Sequence, residues 1–411
     1  MDEKETKVEI KRVLTVIGTR PEAIKLAPVV RELARRPDRF QSRVCVTGQH
    51  RELLDQAMAE LQLESDHDLD VMRPDQSLAG LTTLALERLD RLMADKEPDV
   101  VLVQGDTTTA LAGALAGFYR GATVGHVEAG LRTGNPQAPY PEEMNRRLIA
   151  DLADLHFAPT EAARSELLRE GVPEERIRVT GNTGIDSLLW MRDRVDTTPP
   201  ESVPPPVRAL PPSRPLLLVT GHRRESFDGG LAAVCEAVRA VADAVPDLVV
   251  VYPVHLNPRV QATARAALAD HGRIHLVEPV GYAGFVWLLN RATAVLSDSG
   301  GVQEEAPALG TPLLVTREET ERLEGVAAGS ARLVGHDPDR IEAELIRLIT
   351  DPEARAPMAV PRFPFGDGTA ARRIADMLEQ WPQTGSPSRP APAPDTITDT
   401  PLAPRPQVPS A

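Results

Sequence analysis

A glycine-bearing turn in the second half of the chain has the residue types that bind phosphate groups. Residues 297–306 read Ser-Asp-Ser-Gly-Gly-Val-Gln-Glu-Glu-Ala and stand between an apolar run, 293–296, and a helical pattern. Ser299 is a candidate cap of that helix, and Gly300 and Gly301 place no side chain between the first free N–H groups and an arriving anion. The stretch therefore predicts a phosphate cradle at the start of a helix.

Two carboxylates follow this turn. Glu304 and Glu305 lie one to two helical turns further along, where a carboxylate could accept hydrogen bonds from the ribose of a nucleotide whose diphosphate rests on the glycines. The alternative interpretation is a tight strand-to-helix turn with a solvated acidic face, because short motifs often match by chance. Residues elsewhere in the chain favour the nucleotide site.

Three further carboxylates stand in separate loops of the first half, and side chains of this type can transfer protons. Asp106 follows Gly105 after an apolar strand pattern, where either catalysis or capping of the next helix would suit it. Glu128 ends an apolar strand, where an unpaired carboxylate is costly, so a functional or paired role is favoured. Glu142 follows Pro141 in the first turn of a helix, where the helix dipole by itself would favour an acidic residue.

Cationic side chains suited to a diphosphate follow the first strand pattern of each half. The sequence His-Arg-Arg stands at 222–224, and Arg20 and Lys25 stand after the first strand. Because the whole chain has a net charge of −14, an anionic ligand must be met by such local groups and not by a basic surface. A solvated basic loop is the alternative for 222–224.

These polar clusters share one position relative to the predicted elements. In both halves, short apolar runs rich in β-branched residues alternate with helical patterns, and each cluster follows the carboxyl end of a run. Repeated βα units predict parallel sheets covered on both faces, with ligands at the carboxyl ends of the strands. We therefore expect an α/β fold of two doubly wound, Rossmann-like domains that face each other across a cleft.

Composition divides the chain further. We expect an N-terminal domain over 1–195 that carries the carboxylates and a C-terminal nucleotide-binding domain over 216–365. The proline-rich segment 196–215 predicts a linker that buries nothing, and a helix within 366–382 is expected to pack back towards the N-terminal domain. The tail, 383–411, is rich in Pro, Ser, Thr and Ala and is predicted to be disordered.

Composition also argues against several classes of function. The acidic balance speaks against nucleic acid or an anionic membrane as a partner, and no apolar run approaches the length of a membrane span. The charged N-terminus has no apolar region behind it, so no secretory leader is expected. Cys45 and Cys235 lie far apart in apolar segments, which predicts neither a disulfide framework nor a metal site and favours the cytoplasm.

Longer stretches extend this pattern in order along the chain. They read Gly-Thr-Arg-Pro-Glu-Ala-Ile-Lys at 18–25, Gly-Asp-Thr-Thr-Thr at 105–109, His-Val-Glu-Ala-Gly-Leu-Arg-Thr-Gly at 126–134, Pro-Glu-Glu-Met-Asn-Arg at 141–146, Gly-Asn-Thr at 181–183, Gly-His-Arg-Arg-Glu at 221–225, His-Leu-Asn-Pro at 255–258 and the phosphate cradle at 297–306. Together they resemble the non-hydrolysing UDP-N-acetylglucosamine 2-epimerases, and the two-domain layout resembles the GT-B type of sugar-nucleotide enzyme. The resemblance spans about residues 11 to 380.

The resemblance implies reversible inversion of C2 in UDP-N-acetylglucosamine (UDP-GlcNAc), giving UDP-N-acetylmannosamine (UDP-ManNAc) by elimination of UDP to 2-acetamidoglucal and its re-addition. The implied catalytic residues are Asp106, Glu128, Glu142 and His222. The residues implied in binding the substrate and its UDP moiety are Arg20, Lys25, Arg146, Phe285, Ser299, Gly300, Gly301, Glu305 and Arg322. The residues implied in a regulatory site are Gln49, His50 and His255.

Further expectations accompany this assignment. Glu142 and Arg146 are spaced i, i+4, so Arg146 is a candidate to hold that carboxylate or a phosphate. The resemblance also implies a homodimer, a sugar-nucleotide substrate, no bound cofactor or metal, and a role in supplying sugars for cell-surface polysaccharides. Which carboxylate acts as acid and which as base stays open.

Other functions are compatible with the same residues. A hydrolysing epimerase would release UDP and free N-acetylmannosamine, and a GT-B glycosyltransferase would pass the sugar to an acceptor with a single base. The three dispersed acidic loops favour the epimerase, and a non-catalytic sugar-nucleotide sensor is a more distant alternative. Departures from the family pattern at 323–325, Ser226 and Gly184 leave a modified UDP-hexosamine open as the substrate. The turn 18–21 lacks the Gly-x-Gly-x-x-Gly pattern of nicotinamide enzymes.

Overall fold

The computed structural model describes residues 10–48, 51–73, 76–196, 198–221 and 230–382. The first half alternates strands and helices, as its apolar runs predict. The strands are β1 (Lys11–Ile17), β2 (Phe40–Val46), β3 (His67–Asp68), β4 (Val100–Gln104), β5 (Thr123–Val127), β6 (Leu155–Ala158) and β7 (Ile177–Val179). The helices are α1 (Arg20–Ala34), α2 (Arg51–Glu60), α3 (Leu78–Lys96), α4 (Thr108–Arg120), α5 (Glu142–Leu152), α6 (Glu161–Arg169) and α7 (Thr183–Val195), with a 3₁₀ turn at Glu174–Arg176.

The second half repeats this alternation after the short helix α8 (Pro205–Arg208). Its strands are β8 (Leu216–Thr220), β9 (Val249–Pro253), β10 (Ile274–Val277), β11 (Ala294–Ser297), β12 (Leu313–Val315) and β13 (Ala331–Leu333). Its helices are α9 (Gly230–Ala244), α10 (Pro258–Leu268), α11 (Tyr282–Arg291), α12 (Gly300–Leu309), α13 (Leu323–Ala327), α14 (Pro338–Thr350), α15 (Pro352–Arg355) and α16 (Ala370–Gln380).

The strands form two parallel, doubly wound sheets in the described part of the chain. The first sheet has the order β3–β2–β1–β4–β5–β6–β7, and the second has the order β10–β9–β8–β11–β12–β13. The winding direction reverses between β1 and β4 in the first sheet and between β8 and β11 in the second. Such a switch point leaves a crevice at the carboxyl edge of the sheet. The predicted α/β class with two doubly wound domains is confirmed.

Burial on both faces explains the composition of the strands. Every residue of β4 (Val-Val-Leu-Val-Gln) is buried, and so is every residue of β11 (Ala-Val-Leu-Ser). Apolar and β-branched side chains suit both faces of a sheet that lies between helices. Since the strand interiors serve the core in this way, chemically useful side chains concentrate in the loops at the carboxyl edges.

The proline-rich segment contributes to the core, so the expectation that it buries nothing is wrong. Val203 and Val207 are fully buried, and Val203 packs beside Gly284 of α11. Val207 lies on α8 and Val203 just before the N-cap of that helix, and both side chains enter the core. Proline restricts the backbone here without preventing the side chains between the prolines from packing.

The last described helix returns to the N-terminal sheet. At the start of α16, Asp186 of α7 accepts a hydrogen bond from the Ala371 N–H at 2.9 Å. At its end, the ammonium group of Lys11 donates to the Leu378 carbonyl at 2.5 Å. A negative group at the N-terminus and a positive group at the C-terminus both complement the helix dipole. The helix expected within 366–382 therefore packs on the N-terminal domain, and the predicted disordered tail lies outside the described residues.

Candidate active site

The glycine turn predicted as a phosphate cradle lies at the switch point of the second sheet. β11 ends at Ser297 and α12 begins at Gly300, so the first N–H groups of α12 face the crevice at the carboxyl edge. Ser299 occupies the N-cap position, but its side chain makes no capping hydrogen bond, so the predicted cap is wrong. The turn is closed instead by the Ser299 N–H, which donates to Ser297 Oγ at 3.0 Å.

A guanidinium group covers this cradle. The Cζ of Arg322 lies 3.2 Å from the position that a Cβ on Gly300 would take, so a side chain there would press against the guanidinium. Arg322 Nε donates to Glu304 Oε1 at 3.1 Å, and Asn182 Nδ2 donates to Glu304 Oε2 at 2.7 Å. Both carboxylate oxygens of Glu304 are therefore engaged by the protein, and acceptance from a ribose hydroxyl by their remaining lone pairs stays a prediction.

Glu305 lies among charged groups from both domains. Burial and the neighbouring Glu304 raise the pKa of Glu305 to about 8, although Lys25 and Arg20 act to lower it. Tyr282 of α11 lies close to this carboxyl group, and its buried hydroxyl has no hydrogen-bond partner in the described residues. A carboxyl group that is protonated near neutral pH both donates and accepts hydrogen bonds, which suits contact with the hydroxyl groups of a sugar.

Glu128 is held in a strained conformation directly after β5. Its φ of +64° lies in the left-handed region, which costs a non-glycine residue roughly 1–3 kcal/mol. One carboxylate oxygen pairs with the ammonium group of Lys25, and the other accepts from the side-chain amide of Gln104. The expectation of a paired role is confirmed, and the catalytic role stays a prediction. Such strain persists where the surroundings enforce it, commonly at functional sites.

Asp106 forms an ion pair across the N-terminal domain. It follows β4 and pairs with Arg146 of α5, while its own side chain stays 28% exposed. The helix after it is capped by Thr107, whose hydroxyl accepts from the Ala110 N–H at 3.0 Å. The interpretation of Asp106 as a helix cap is therefore wrong, and its carboxylate lies beside a cation.

Two side chains fix the backbone around Asp106. Asn145 Nδ2 donates to the Asp106 carbonyl at 2.9 Å, and the His126 ring donates from Nε2 to the Gly105 carbonyl at 2.7 Å. A carbonyl oxygen only accepts, so the ring proton lies on Nε2. Burial lowers the pKa of His126 to about 3, which keeps the ring neutral at ordinary pH. The histidine therefore holds this loop without contributing a charge.

The adjacent residues Glu142 and Glu143 have different surroundings. Glu143 is fully buried and pairs with Arg147 at 2.9 Å and Arg146 at 3.5 Å. Glu142 Oε2 is buried without a hydrogen-bond partner in the described part of the chain. The expected i, i+4 contact between Glu142 and Arg146 is wrong, because Arg146 turns to Glu143 and Asp106 instead. Glu142 is thus the member of the pair left for a ligand.

A buried carboxyl group joins two loops of the N-terminal sheet. Glu22 of α1 is 1% exposed and accepts from the Gly18 N–H at 2.9 Å, Thr19 Oγ1 at 2.8 Å and Thr107 Oγ1 at 2.7 Å. Burial raises the pKa of Glu22 to about 7, although these hydrogen bonds act to lower it. Because Thr107 adjoins Asp106, Glu22 fixes the spacing between the loops after β1 and β4.

Charges from the two domains interact across the cleft. Burial lowers the pKa of Lys25, but Glu128 and Glu304 raise it, and the net shift is upward. The pKa of Arg322 is also raised, since Glu304, Glu321 and Glu128 outweigh the effect of burial. Cations from both domains therefore stay charged beside the cradle, close to a carboxylate from the N-terminal loops.

Three further predicted residues are described, and three others lie outside the described ranges. Phe285 is half-buried on α11, and Gly301 is exposed in the first turn of α12. His255 is exposed after β9, where its Nδ1 accepts from the Asn257 N–H at 3.1 Å. The predicted residues that lie outside the described ranges are His222, Gln49 and His50.

Sequence reasoning assigned no role to Gln104, Glu22, Asn145 and Asn182. Each lies in or beside one of the stretches that match the family, and that position was the only sequence signal for a role in the site. Their hydrogen bonds join loops far apart in the chain, so residue type and local spacing did not reveal them. They hold the groups that face the cleft.

The site combines carboxylates suited to proton transfer with cations and helix N–H groups suited to an anionic leaving group. Among the described residues, no group of three or more His, Cys, Asp or Glu side chains is placed to hold a metal ion. Across the same residues, no helix has both the length and the apolar character needed to cross a bilayer.

Comparison with known proteins gives a consistent result. A sequence model of the UDP-N-acetylglucosamine 2-epimerase family matches residues 31–379. The UDP-N-acetylglucosamine 2-epimerase of Yersinia pestis is 51% identical over 370 residues, which cover 90% of this chain and 98% of that protein. The crystal structure of UDP-GlcNAc 2-epimerase from Neisseria meningitidis bound to UDP-GlcNAc has a TM-score of 0.82 at 43% identity, covering 90% of this chain and 100% of that one. The structure of S. aureus MnaA with UDP has a TM-score of 0.78 at 38% identity, covering 90% and 96%. The chain therefore belongs to the UDP-N-acetylglucosamine 2-epimerase family.

Proposed function

We propose that this protein reversibly converts UDP-GlcNAc into UDP-ManNAc by inverting C2, without hydrolysis. The observation that carries the proposal is Glu128, a strained and nearly buried carboxylate that pairs with Lys25 and interacts with Arg322 above the cradle. A proton-transfer group is thereby held next to the place where a diphosphate would leave. Two solved relatives, described as complexes with UDP-GlcNAc and with UDP, support the same class of ligand here.

The proposed chemistry follows from the weak acidity of the C2 proton, which has no carbonyl beside it. A carboxylate removes this proton while the bond between C1 and the diphosphate oxygen breaks, its electron pair leaving with UDP. A double bond forms between C1 and C2, which gives 2-acetamidoglucal. In the return step a proton is delivered to the opposite face of C2, and the diphosphate oxygen bonds to C1 again.

Proton transfer at two faces of one carbon favours more than one carboxylate. Asp106, Glu128 and Glu142 come from three loops of the N-terminal domain and are the candidates. Asp106 and Glu128 are each held beside a cation, Arg146 and Lys25, and are proposed as the bases. Variants of the three residues, one at a time, distinguish which carboxylate serves each face.

Departure of UDP requires stabilisation of the charge that develops on its diphosphate. The first N–H groups of α12 and the guanidinium of Arg322 form a fixed set of donors at the cradle. Arg20, whose charge reaches Glu305 in the same cleft, is proposed to face the nucleotide as well. His222 keeps its proposed catalytic role from the resemblance, since it lies outside the described residues.

The test of this function is incubation of purified protein with UDP-GlcNAc and no acceptor, followed by proton NMR of the C2 configuration. We expect a mixture of UDP-GlcNAc and UDP-ManNAc to form while the total amount of UDP-sugar stays constant. Release of UDP and free N-acetylmannosamine in equal amounts would instead identify a hydrolysing epimerase. Transfer of the sugar only when an acceptor is added would identify a glycosyltransferase, and a panel of modified UDP-hexosamines would reveal a different preferred substrate.

We also propose that the chain forms a homodimer through an apolar stripe on the N-terminal domain. Met144 and Leu148 lie one turn apart on α5 and are 39% and 44% exposed, and Tyr140 just before the helix is 63% exposed. Single exposed apolar residues are common, but a continuous stripe of them is typical of an interface. The resemblance to a dimeric family supports a second copy of the chain as the partner.

Replacing Leu148 by glutamate is expected to shift the protein from dimer to monomer in sedimentation velocity, because a charge buried in an interface is costly. Leu168→Glu is the matched control, since Leu168 is an exposed leucine, 36% accessible, on α6. It is expected to leave the dimer intact. A monomeric wild type, or a dimeric Leu148→Glu variant, would contradict the assigned interface.

A further inference from the structure

The matched stretch Gly181-Asn182-Thr183 has no part in the reaction proposed above. Asn182 is the N-cap of α7 and is 4% exposed. Its Oδ1 accepts from the Gly184 N–H at 2.8 Å, which is an ordinary capping bond. Because the cap fixes which side of the amide carries the oxygen, the Nδ2 group must point away from α7.

The Nδ2 group reaches across the cleft to the other domain. It donates to Glu304 Oε2 at 2.7 Å, a buried contact between residues 122 positions apart in the chain. The remaining oxygen of Glu304 accepts from Arg322 Nε at 3.1 Å. The guanidinium of Arg322 lies in turn against Gly300 of the phosphate cradle. Hydrogen bonds thus link the N-cap of α7 to Arg322, whose guanidinium lies beside the cradle.

We propose that Asn182 is a positioning residue for nucleotide binding: through Glu304 it holds Arg322 over the phosphate cradle and ties the cradle to the N-terminal domain. The inference rests on the proposed function in one respect, that the cradle receives the diphosphate of a UDP-sugar. We call these three residues the Asn182–Glu304–Arg322 relay.

The physical reason lies in the choice of partners open to Arg322. Its Nη1 also contacts Glu321 Oε1 at 2.5 Å, and Glu321 is 36% exposed whereas Glu304 is 8% exposed. A buried carboxylate that loses a hydrogen-bond donor loses much of its stabilisation, because water does not replace the donor. Without Asn182, Glu304 is therefore expected to shift, and Arg322 is expected to move towards Glu321 and away from the cradle.

A merely structural role, in which Asn182 caps α7 and does no more, makes a different prediction. Serine and aspartate cap helices about as well as asparagine. Asn182→Ser keeps the cap but does not reach Glu304, and Asn182→Asp keeps the cap but sets a carboxylate against Glu304. Both variants should be silent if capping is the whole role, and both should weaken nucleotide binding if the relay operates.

The sharpest variant reverses the direction of the hydrogen bond. Glu304→Gln alone offers one amide oxygen to two donors, Asn182 Nδ2 and Arg322 Nε, so one of the two contacts is lost. In the double variant Asn182→Asp with Glu304→Gln, the amide nitrogen introduced at position 304 can donate to the carboxylate introduced at position 182. The amide oxygen at position 304 can still accept from Arg322. The pair then has the same number of charges and hydrogen bonds as the natural pair.

The experiment is titration of each purified variant with UDP in a calorimeter, together with kcat and KM for UDP-GlcNAc and the melting temperature. Each single variant is expected to weaken UDP binding by about tenfold or more, as for a buried charge-assisted hydrogen bond, with KM raised more than kcat is lowered. Asn182→Ser is expected to stay folded, with its melting temperature lowered by no more than the loss of one buried hydrogen bond. The double variant is expected to recover most of the lost affinity.

Asn290→Ser is the matched control, because Asn290 Nδ2 donates to Asp196 Oδ1 at 3.3 Å in an exposed contact far from the cradle. It should bind UDP like the wild type. Unchanged UDP affinity in Asn182→Ser and Asn182→Asp, or a double variant no better than the singles, would overturn the relay. A wild type that binds UDP but does not epimerise UDP-GlcNAc would overturn the proposed function and leave the relay standing. A wild type that binds no UDP would overturn both.

Discussion

Replacing Glu128 by glutamine is expected to lower kcat for UDP-GlcNAc by about 10²–10⁴-fold, the usual effect of removing a positioned proton-transfer group. Glutamine keeps the size of the side chain, but it does not take up a proton and it loses the ion pair with Lys25. UDP affinity is expected to change far less, because the phosphate cradle belongs to the other domain. Steady-state kinetics and calorimetric titration with UDP separate the two effects.

Asp106→Asn and Glu142→Gln are expected to behave in the same way. Asp106→Asn leaves Arg146 without its charged partner from the loop after β4. Glu142→Gln changes a carboxylate with one buried oxygen that has no hydrogen-bond partner in the described residues. Glu161→Gln is the control. Glu161 lies in the first turn of α6, the position that Glu142 has in α5, but its side chain is exposed. Near wild-type kcat in any of the three variants would remove that residue from the catalytic set.

The fold was predictable because it depends on patterns that repeat along the chain. Runs such as 100–103 are apolar and β-branched, which suits a strand buried on both faces, and a parallel sheet brings the loops after such strands to one edge. The position of Asp106, Glu128 and the glycine turn at carboxyl edges followed from this rule. It needed no knowledge of tertiary contacts.

The contacts within the site were less predictable, because they join residues distant in sequence. Helical spacing allows Arg146 to reach either Glu142 or Glu143, and the choice is made by Asp106, which approaches from a loop 40 residues earlier. In the same way, nothing local distinguishes Glu304 from Glu305. The orientation of α12 turns Glu304 towards Asn182 and Arg322.

The sequence also did not indicate that Glu22 is buried. Glu22 has the spacing of a helix-capping residue after Thr19, and that local role is present in its bonds to Gly18 and Thr19. Its bond to Thr107 depends on the neighbouring positions of β1 and β4 in the sheet. The order of the strands therefore gives Glu22, a capping residue, a second role as a link between the loops after β1 and β4.

A different mechanism for inversion at C2 would oxidise the sugar transiently with a bound nicotinamide, and the N-terminal sheet argues against it. In dinucleotide-binding folds the pyrophosphate lies on the N-terminus of the helix after the first strand. Here the Gly18 N–H at that place donates to the carboxyl group of Glu22, which is 1% exposed. The Gly18 N–H is thus already engaged by the protein's own acidic group and does not point freely at a pyrophosphate.

Elimination makes a distinct prediction, because it breaks the bond between C1 and oxygen. With ¹⁸O in the bridge between C1 and the β-phosphorus, UDP released in the cleft can rotate its terminal phosphate before it bonds to C1 again. We therefore expect the label to move into non-bridging positions of the recovered UDP-sugar while deuterium from heavy water enters C2. Mass spectrometry and ³¹P NMR follow the two labels in one sample.

Free UDP and 2-acetamidoglucal are expected to accumulate slowly, and Arg322→Ala should increase this leakage because it removes a guanidinium from the cradle. Arg347→Ala is the control, since Arg347 pairs with a glutamate as Arg322 does but lies in the last turn of α14. Deuterium at C2 with the ¹⁸O label wholly retained in the bridge, and no 2-acetamidoglucal formed, would show that the C1–O bond stays intact. In that case the Arg322 and Gly300 contacts would serve binding alone, and the proton at C2 would have to be removed by chemistry that needs no leaving group.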